Sequence, residues 1–286
     1  MLFRSTDPHE HLAFVRQRWP ELAVETFEPI PGGWDCSSYL ANGTWVFQFP
    51  RLAGSEARLR KQLALLPELA PEVSSAVPSP EYTSSDPVCM GYRRIEGEPM
   101  SVGVDGIWPE RLGRFLYDLH LTPPELVGMR SVSAAAVREE LRREVGALSA
   151  HVLPLLDPGE RGRAQRMVSA FLDDDGNFRF ATCLTHGDVG PAHVLVTPSG
   201  DLAGLIDWGD AAVGDPVTDL AWMVHAMPEQ GERVLGAYGG PPDDRFLLRA
   251  RFSFTVMPWH EVRYGAETDQ PGFVESGMVG VRERLG

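Results

Sequence analysis

Cysteine is scarce in this sequence, and the residues present form no familiar pattern. Cys36, Cys89 and Cys183 are odd in number and have no metal-type spacing, so no disulfide framework is indicated. A reducing compartment suits such a chain, and we expect a cytoplasmic protein. The N-terminal segment has no basic region followed by an apolar stretch, and no run of 18 apolar residues occurs. We therefore expect neither secretion nor a membrane partner.

Basic residues are also in deficit. The 286-residue chain has 26 Lys and Arg against 40 Asp and Glu, a formal net charge of −14, and Lys61 is its one lysine. Nucleic acid is therefore disfavoured as a partner, because its phosphates are bound by basic side chains. The acidic excess suits a cationic small molecule as partner, or it serves solubility alone.

The order of predicted elements indicates two lobes. Asp7 followed by Pro8 predicts a helix start, and Asn42-Gly43 predicts a hairpin between two strands. From about residue 108 onward helical patterns dominate. Strands followed by helices predict an α+β fold, with a small β-rich lobe over residues 1–94 and a larger helical lobe over residues 95–286.

A hairpin predicted within the helical lobe gathers ionisable residues. Two apolar runs, VLV and LAGLI, are joined by the turn-forming sequence TPSGD. Asp188 and His193 precede the first run and Asp207 follows the second, so the hairpin carries all three to one end. Metal-assisted phosphoryl transfer needs such a set, because one carboxylate faces the attacking hydroxyl while other groups hold the metal. Singly, each residue is more typical of a solvated aspartate or a core histidine, and only the joint pattern favours a site.

Three spaced motifs coincide in this region. They are His186-Gly187-Asp188 with His193 five residues after the aspartate, Ile206-Asp207-Trp208, and Gly214-Asp215-Pro216. In this order they resemble the aminoglycoside phosphotransferase family, whose macrolide-phosphorylating members also have histidine at the position of His193. The resemblance implies a two-lobed fold like that of protein kinases.

The resemblance also implies roles for the motif residues. Asp188 would be the catalytic carboxylate beside the acceptor hydroxyl, and Asp207 would bind Mg²⁺. His193 would give a second metal contact or a hydrogen bond to Asp188, and the second role is nearly as well favoured because Mg²⁺ prefers oxygen ligands. His186 and Asp215 would orient the loop through hydrogen bonds.

The nucleotide, ATP or GTP, is implied to bind the first lobe. The phosphates would lie against donors of a loop that contains Gly33, Ser37 and Ser38. The base would lie against a hinge formed by Tyr92, Arg93 and Ile95. Gln48 and Gln62 replace the family's strand lysine and helix glutamate. Either Arg51 or another nearby arginine replaces the lysine, or nucleotide binding is weak, or the nucleotide is unusual. A hydrogen bond between the two amides would still join strand and helix.

The acceptor in this family lies between the catalytic loop and the C-terminal helices. Carboxylates suit ammonium groups, so Asp210, Glu261 and Glu267 are candidates for binding a cationic acceptor, although such residues are also common on plain helix surfaces. The expected activity is transfer of a γ-phosphate to a hydroxyl of an antibiotic, namely an aminoglycoside, a macrolide or a cationic peptide, giving resistance. A degenerate kinase-fold binding protein and a metabolic small-molecule kinase are the alternatives.

Overall fold

The computed structural model describes residues 7–32, 35–51, 53–101 and 104–285. Its first part is an antiparallel five-stranded sheet in the order β1-β2-β3-β5-β4. The strands are β1 (Phe27–Ile30), β2 (Cys36–Ala41), β3 (Trp45–Pro50), β4 (Pro80–Ser85) and β5 (Val88–Arg93). Helix α1 (Pro8–Arg18) precedes the sheet and α2 (Ala53–Leu69) follows β3. The Asp7 side chain accepts a hydrogen bond from the N–H of His9, so α1 begins where the sequence predicts.

Alternation along β3 separates the two faces of the sheet. Phe47 and Phe49 join an aromatic cluster on the α1 side, whereas Val46 packs in the core that contains Leu59 of α2. Because side chains alternate along a strand, Gln48 lies on the α2 side with Val46. Strand β3 therefore presents the amide of Gln48 to α2.

The turns of the sheet explain which strands could be predicted. Asn42 and Gly43 both have positive φ, 51° and 65°, in the three-residue connection between β2 and β3, where the N–H of Thr44 donates to the carbonyl of Ala41 at 3.0 Å. The sequence alone does not indicate strand β4, since PEYTSS lies in a Pro- and Ser-rich segment that is typical of a link. It alternates half-buried and exposed side chains at the sheet edge, where a strand tolerates proline.

The second part is mostly helical. Its helices are α3 (Trp108–Leu121), α4 (Ala134–Val152), α5 (Pro158–Leu172), α6 (Val217–Ala226), α7 (Pro228–Tyr238), α8 (Phe246–Glu267) and α9 (Pro271–Leu285). Two small sheets, β6-β8-β9 and β10-β7, lie among them, formed by β6 (Glu98–Pro99), β7 (Cys183–Thr185), β8 (Val194–Val196), β9 (Leu202–Leu205) and β10 (Ala212–Gly214). Among the helices of the described ranges, none combines the length and the apolar character that crossing a membrane requires.

Contacts between the two parts fix the hairpin of β8 and β9 against the first part. The N–H of Leu205 donates to the carbonyl of Ala76 at 3.0 Å. A Cβ at Gly204 would lie 2.2 Å from the same oxygen, so this close approach requires glycine. Lys61 Nζ donates to the carbonyl of Ala211 at 2.7 Å, which ties α2 to the segment after β9. The lobe boundary between residues 94 and 95 follows β5 directly and stays a prediction.

Candidate active site

The hairpin of β8 and β9 carries two acidic residues to one end. The strands pair antiparallel, and the N–H of Ile206 donates to the carbonyl of His193 at 3.0 Å. Asp188, before β8, and Asp207, after β9, therefore lie near each other. The His193 ring is between them, with Nδ1 3.3 Å from Asp188 Oδ2 and Nε2 3.7 Å from Asp207 Oδ2. The structure thus brings the three motif residues together.

One hydrogen bond orients the His193 ring. Nδ1 lies 2.8 Å from the backbone oxygen of Asp188, which only accepts, so Nδ1 carries a proton. In the tautomer with its proton on Nδ1 alone, Nε2 is an acceptor that faces the Asp207 carboxylate, which is also an acceptor. Two acceptors 3.7 Å apart suit a shared cation. Across the described ranges no group of three or more His, Cys, Asp or Glu side chains is arranged to hold a metal.

Asp219, on α6, anchors the loop that precedes β8. Its buried carboxylate accepts the N–H groups of His186 and Gly187, each at 2.8 Å, and lies 3.1 Å from Nε2 of His120. Burial alone would raise the pKa of Asp219, but the hydrogen bonds from His120 and Gly187 lower it overall, so the carboxylate stays charged. Sequence reasoning missed His120, because it is 99 residues from Asp219 and belongs to no motif.

His186 connects this anchor to Asp188. The fully buried ring donates through Nε2 to the carbonyl of Ile206 at 3.0 Å and accepts the N–H of Asp188 through Nδ1 at 3.2 Å. Burial lowers the pKa of His186, so the ring stays neutral and can act as donor and acceptor at once. One imidazole therefore holds the segment before β8 and the segment after β9.

The two carboxylates of the site face an open cleft. The side chains of Asp188 and Asp207 are 57% and 49% exposed. Asp207 has φ 65° and ψ 70°, a left-handed conformation that is unfavourable for a residue with a Cβ and that turns the chain sharply after β9. Although water reaches Asp188, the surrounding protein removes part of its hydration, and this desolvation raises the pKa of Asp188 against the opposing effect of His193.

A small cavity adjoins Asp207 beneath the β2–β3 hairpin. The residues that line it are Asp35, Cys36, Ser38, Gln48, Arg58, Gln62, Asp207 and Gly209. Gln48 from β3 and the buried Gln62 from α2 thus reach the same cavity. The buried Oε1 of Gln48 accepts no hydrogen bond from the described residues, so it accepts none from Gln62.

The remaining loop residues assigned to the phosphates lie in different surroundings. Ser38 lines the cavity with Gln48, its partner across the strands. Ser37 points to the other face of the sheet, where its Oγ is 3.2 Å from Nε of Arg51. Gly33 lies outside the described residues.

The residues assigned to the hinge follow one another at the end of β5. Tyr92 is buried, and its pKa is raised by burial and by the charge of Asp207, which places its hydroxyl in the field of the site. Arg93 is exposed, with its guanidinium 5.0 Å from the ring centroid of Trp45. Ile95 is half-buried.

The carboxylates assigned to the acceptor also differ in surroundings. Asp210 lies 3.3 Å from Arg58, which lines the cavity. Glu261 is half-buried within α8. Glu267, at the C-terminal end of α8, pairs with Arg263 on its own helix at 2.7 Å. The structure brings Asp210 to the site and gives Glu267 a local partner.

Known proteins resemble this chain in sequence and in structure. The model of the phosphotransferase enzyme family, APH, matches residues 26–247. Viomycin phosphotransferase of Streptomyces vinaceus is 30% identical over 160 residues, 54% of each protein, so the chain spans about half the length of this relative. Macrolide 2'-phosphotransferase MphH of Brachybacterium faecium superimposes with a TM-score of 0.74 at 26% identity, over 95% of this chain and 98% of that one.

A further solved structure is similar over nearly its whole length. The GDP and kanamycin complex of APH(2")-IIIa superimposes with a TM-score of 0.87 at 22% identity, over 96% of this chain and 98% of that one. This likeness confirms the predicted α+β, kinase-like fold, with its sheet at the start and its helices after it. Because the family model covers more than half of the sequence and includes all three motifs, the chain belongs to the phosphotransferase enzyme family.

Proposed function

We propose that this protein transfers the γ-phosphate of ATP or GTP to a hydroxyl of an antibiotic and thereby inactivates it. The observation that carries the proposal is the position of His193 between Asp188 and Asp207, 3.3 Å from one carboxylate and 3.7 Å from the other. Support for antibiotics as acceptors comes from the names of the similar proteins, which act on viomycin and macrolides or are bound to kanamycin.

The chemical step assigns separate roles to the two aspartates. The acceptor oxygen attacks the γ-phosphorus, the bond from that phosphorus to the bridging oxygen breaks, and a nucleoside diphosphate leaves. Asp188 orients the hydroxyl and accepts its proton. Its carboxylate is open to the cleft, while its backbone N–H and carbonyl are held by His186 and His193. The backbone thereby positions Asp188, while its side chain is 57% exposed and has Nδ1 of His193 3.3 Å from Oδ2.

Asp207 and Nε2 of His193 fit a divalent cation. In the tautomer with its proton on Nδ1, Nε2 faces the Asp207 carboxylate 3.7 Å away, and phosphates and water would supply the other ligands of Mg²⁺. When bound, Mg²⁺ would neutralise charge on the phosphate chain. The left-handed backbone of Asp207 turns this carboxylate toward the cavity that Gln48 and Gln62 line.

The acceptor assignment rests on charge. The cleft contains Asp188, Asp207 and Asp210, and the chain carries a net charge of −14, which favours a cationic acceptor such as an aminoglycoside or a basic peptide over a neutral one. Glu261 and Glu267 stay proposals for the same role. The fully hydrogen-bonded loop around His186 and Asp219 favours a working enzyme over a degenerate binding protein.

A substrate panel tests the proposal. The full chain is incubated with ATP or GTP and Mg²⁺ together with an aminoglycoside, a macrolide, viomycin, choline or an amino sugar, and products are analysed by mass spectrometry. We expect one added phosphoryl group on at least one antibiotic, and none after chelation of Mg²⁺ by EDTA. Phosphorylation of choline or the amino sugar alone would support the metabolic alternative. Nucleotide binding without transfer to any compound would support a binding protein.

The raised pKa of Asp188 predicts the acid side of the pH profile. As a proton acceptor Asp188 must be ionised, so kcat/KM should fall as pH decreases through its pKa, with a midpoint above the ordinary aspartate value of about 4. The measurement is kcat/KM between about pH 4 and pH 9, with circular dichroism at each pH to show that the protein stays folded. A midpoint at or below the ordinary value would contradict the desolvation of Asp188.

A further inference from the structure

The cavity beside Asp207 has one cationic side chain among the described residues that line it, and it is Arg58. A nucleoside triphosphate is strongly anionic, and kinase-like enzymes hold its phosphates with a strand lysine. Here that strand position is Gln48 and its helix partner is Gln62. A protein of this family that binds a triphosphate therefore needs a positive charge from another element.

Arg58 and Gln62 project from the same face of α2, because they are four residues apart. Arg58 and Gln62 both approach Asp207 beside Gly209. A Cβ built on Gly209 would lie 3.4 Å from Asp207 Oδ1, 3.6 Å from Gln62 Nε2 and 3.8 Å from Arg58 Cβ. Arg58 thus begins one helical turn from Gln62 and extends along the same cavity.

Two carboxylates hold the guanidinium at the cavity edge. Arg58 Nη1 lies 2.5 Å from Asp35 Oδ2 and 3.3 Å from Asp210 Oδ1. The Arg58 side chain is 46% exposed, so a ligand in the cleft can reach its N–H groups. Exposed ion pairs of this kind contribute little to stability, so an anionic ligand in the cleft can compete with the two carboxylates for the guanidinium. A guanidinium can also donate two parallel hydrogen bonds to phosphate oxygens.

The other cations near the cavity have different positions. Arg51 donates to Ser37 Oγ at 3.2 Å and lines a groove with Pro8 and Tyr39 on the α1 side of the sheet. Lys61 donates to the carbonyl of Ala211 and so fixes α2 to the segment after β9. Arg58 is therefore the better candidate than Arg51 for the phosphate-binding cation.

We propose that Arg58 binds the phosphate chain of the nucleoside triphosphate in place of the strand lysine. The phosphates replace Asp35 or Asp210 as the partner of the guanidinium, and these carboxylates hold Arg58 ready while the cleft is empty. This inference rests on the proposed function, because it assigns the phosphate contact of the same site.

Binding of a non-hydrolysable triphosphate analogue with Mg²⁺, followed by calorimetry, tests the role of Arg58. Arg58→Gln should lower the affinity for the analogue by about 10- to 100-fold, which is the effect of losing a charged hydrogen-bond donor. Binding of the corresponding nucleoside, which has no phosphate, should be unchanged. Arg51→Gln is the matched control and should bind the analogue like the wild type. Adding Gln48→Lys to Arg58→Gln should restore part of the lost affinity, since it returns a cation to the strand.

The outcomes separate this inference from the proposed function. Equal affinities of Arg58→Gln and Arg51→Gln for the analogue would overturn the role of Arg58, and so would an equal loss of nucleoside affinity, which indicates a damaged cleft. If the wild type binds the analogue but phosphorylates no acceptor, the proposed function fails while the loss in Arg58→Gln still supports the inference. A wild-type protein that binds no triphosphate overturns both.

Discussion

Replacing Asp188 with asparagine is expected to lower kcat by about 10²- to 10⁴-fold, the usual contribution of a general base. Asparagine has the same shape, so the backbone contacts to His186 and His193 persist, but its amide does not accept the proton of the hydroxyl. The measurement is phosphate transfer to an acceptor identified in the substrate panel. Binding of the triphosphate should change little, since Asp207 and Arg58 are intact.

The direction of the change in stability distinguishes this loss of activity from unfolding of the Asp188→Asn protein. Because desolvation raises the pKa of Asp188, the folded state disfavours the charged form, and at neutral pH the charge reduces stability. Asp188→Asn should therefore have a melting temperature equal to or above that of the wild type. Asp201→Asn, at the opposite end of the β8–β9 hairpin, is the control and should keep full activity. An Asp188→Asn protein with wild-type kcat would show that another group takes the proton.

Local patterns were enough to predict the part of the site that one hairpin builds. Turn residues between two apolar runs fix the pairing of β8 and β9, and pairing alone brings Asp188 close to Asp207. The alternation of β3 likewise predicts that Gln48 and Arg51 lie on opposite faces, as the structure has them. Both predictions depend on residues close together in sequence.

The rest of the site depends on contacts between distant segments. The residues around Arg58 in the sequence do not distinguish it from Arg60 as a candidate. In the structure Arg60 pairs with Glu56 on the surface of α2. Only the docking of α2 against the segment after Asp207 puts Arg58 beside the cavity. His120 of α3 and Asp219 of α6 meet in the same way, because both helices pack against α7. Such pairs follow from helix packing, which sequence periodicity does not specify.

A buried ion cluster connects α8 to the segment that follows β10. Arg249 is 1% exposed and donates to Asp215 at 2.6 and 3.1 Å and to Asp243 through two bonds of 2.8 Å each. The guanidinium also lies 4.7 Å from the ring centroid of Phe180. Hydrogen bonds from Arg249 lower the pKa of Asp243, and burial raises the pKa of Asp215 although Arg249 opposes it. Asp215 thus bonds to Arg249 and to the N–H of Val217, and its expected role in orienting the loop stays a prediction.

Arg249→Met is expected to reduce the free energy of unfolding by about 3–5 kcal/mol, because it leaves two carboxylates near each other without their cation. The reason is desolvation. Asp215 is buried, so water does not replace the lost guanidinium, whereas an exposed carboxylate would be solvated again. Urea unfolding followed by circular dichroism measures the change. Arg263→Met is the matched control, since Arg263 lies on the same helix and pairs with Glu267 at 2.7 Å but is 39% exposed. Its loss should stay below about 1 kcal/mol. Equal losses in the two variants would mean that burial adds nothing to the Arg249 cluster, and that α8 is held in place by apolar packing alone.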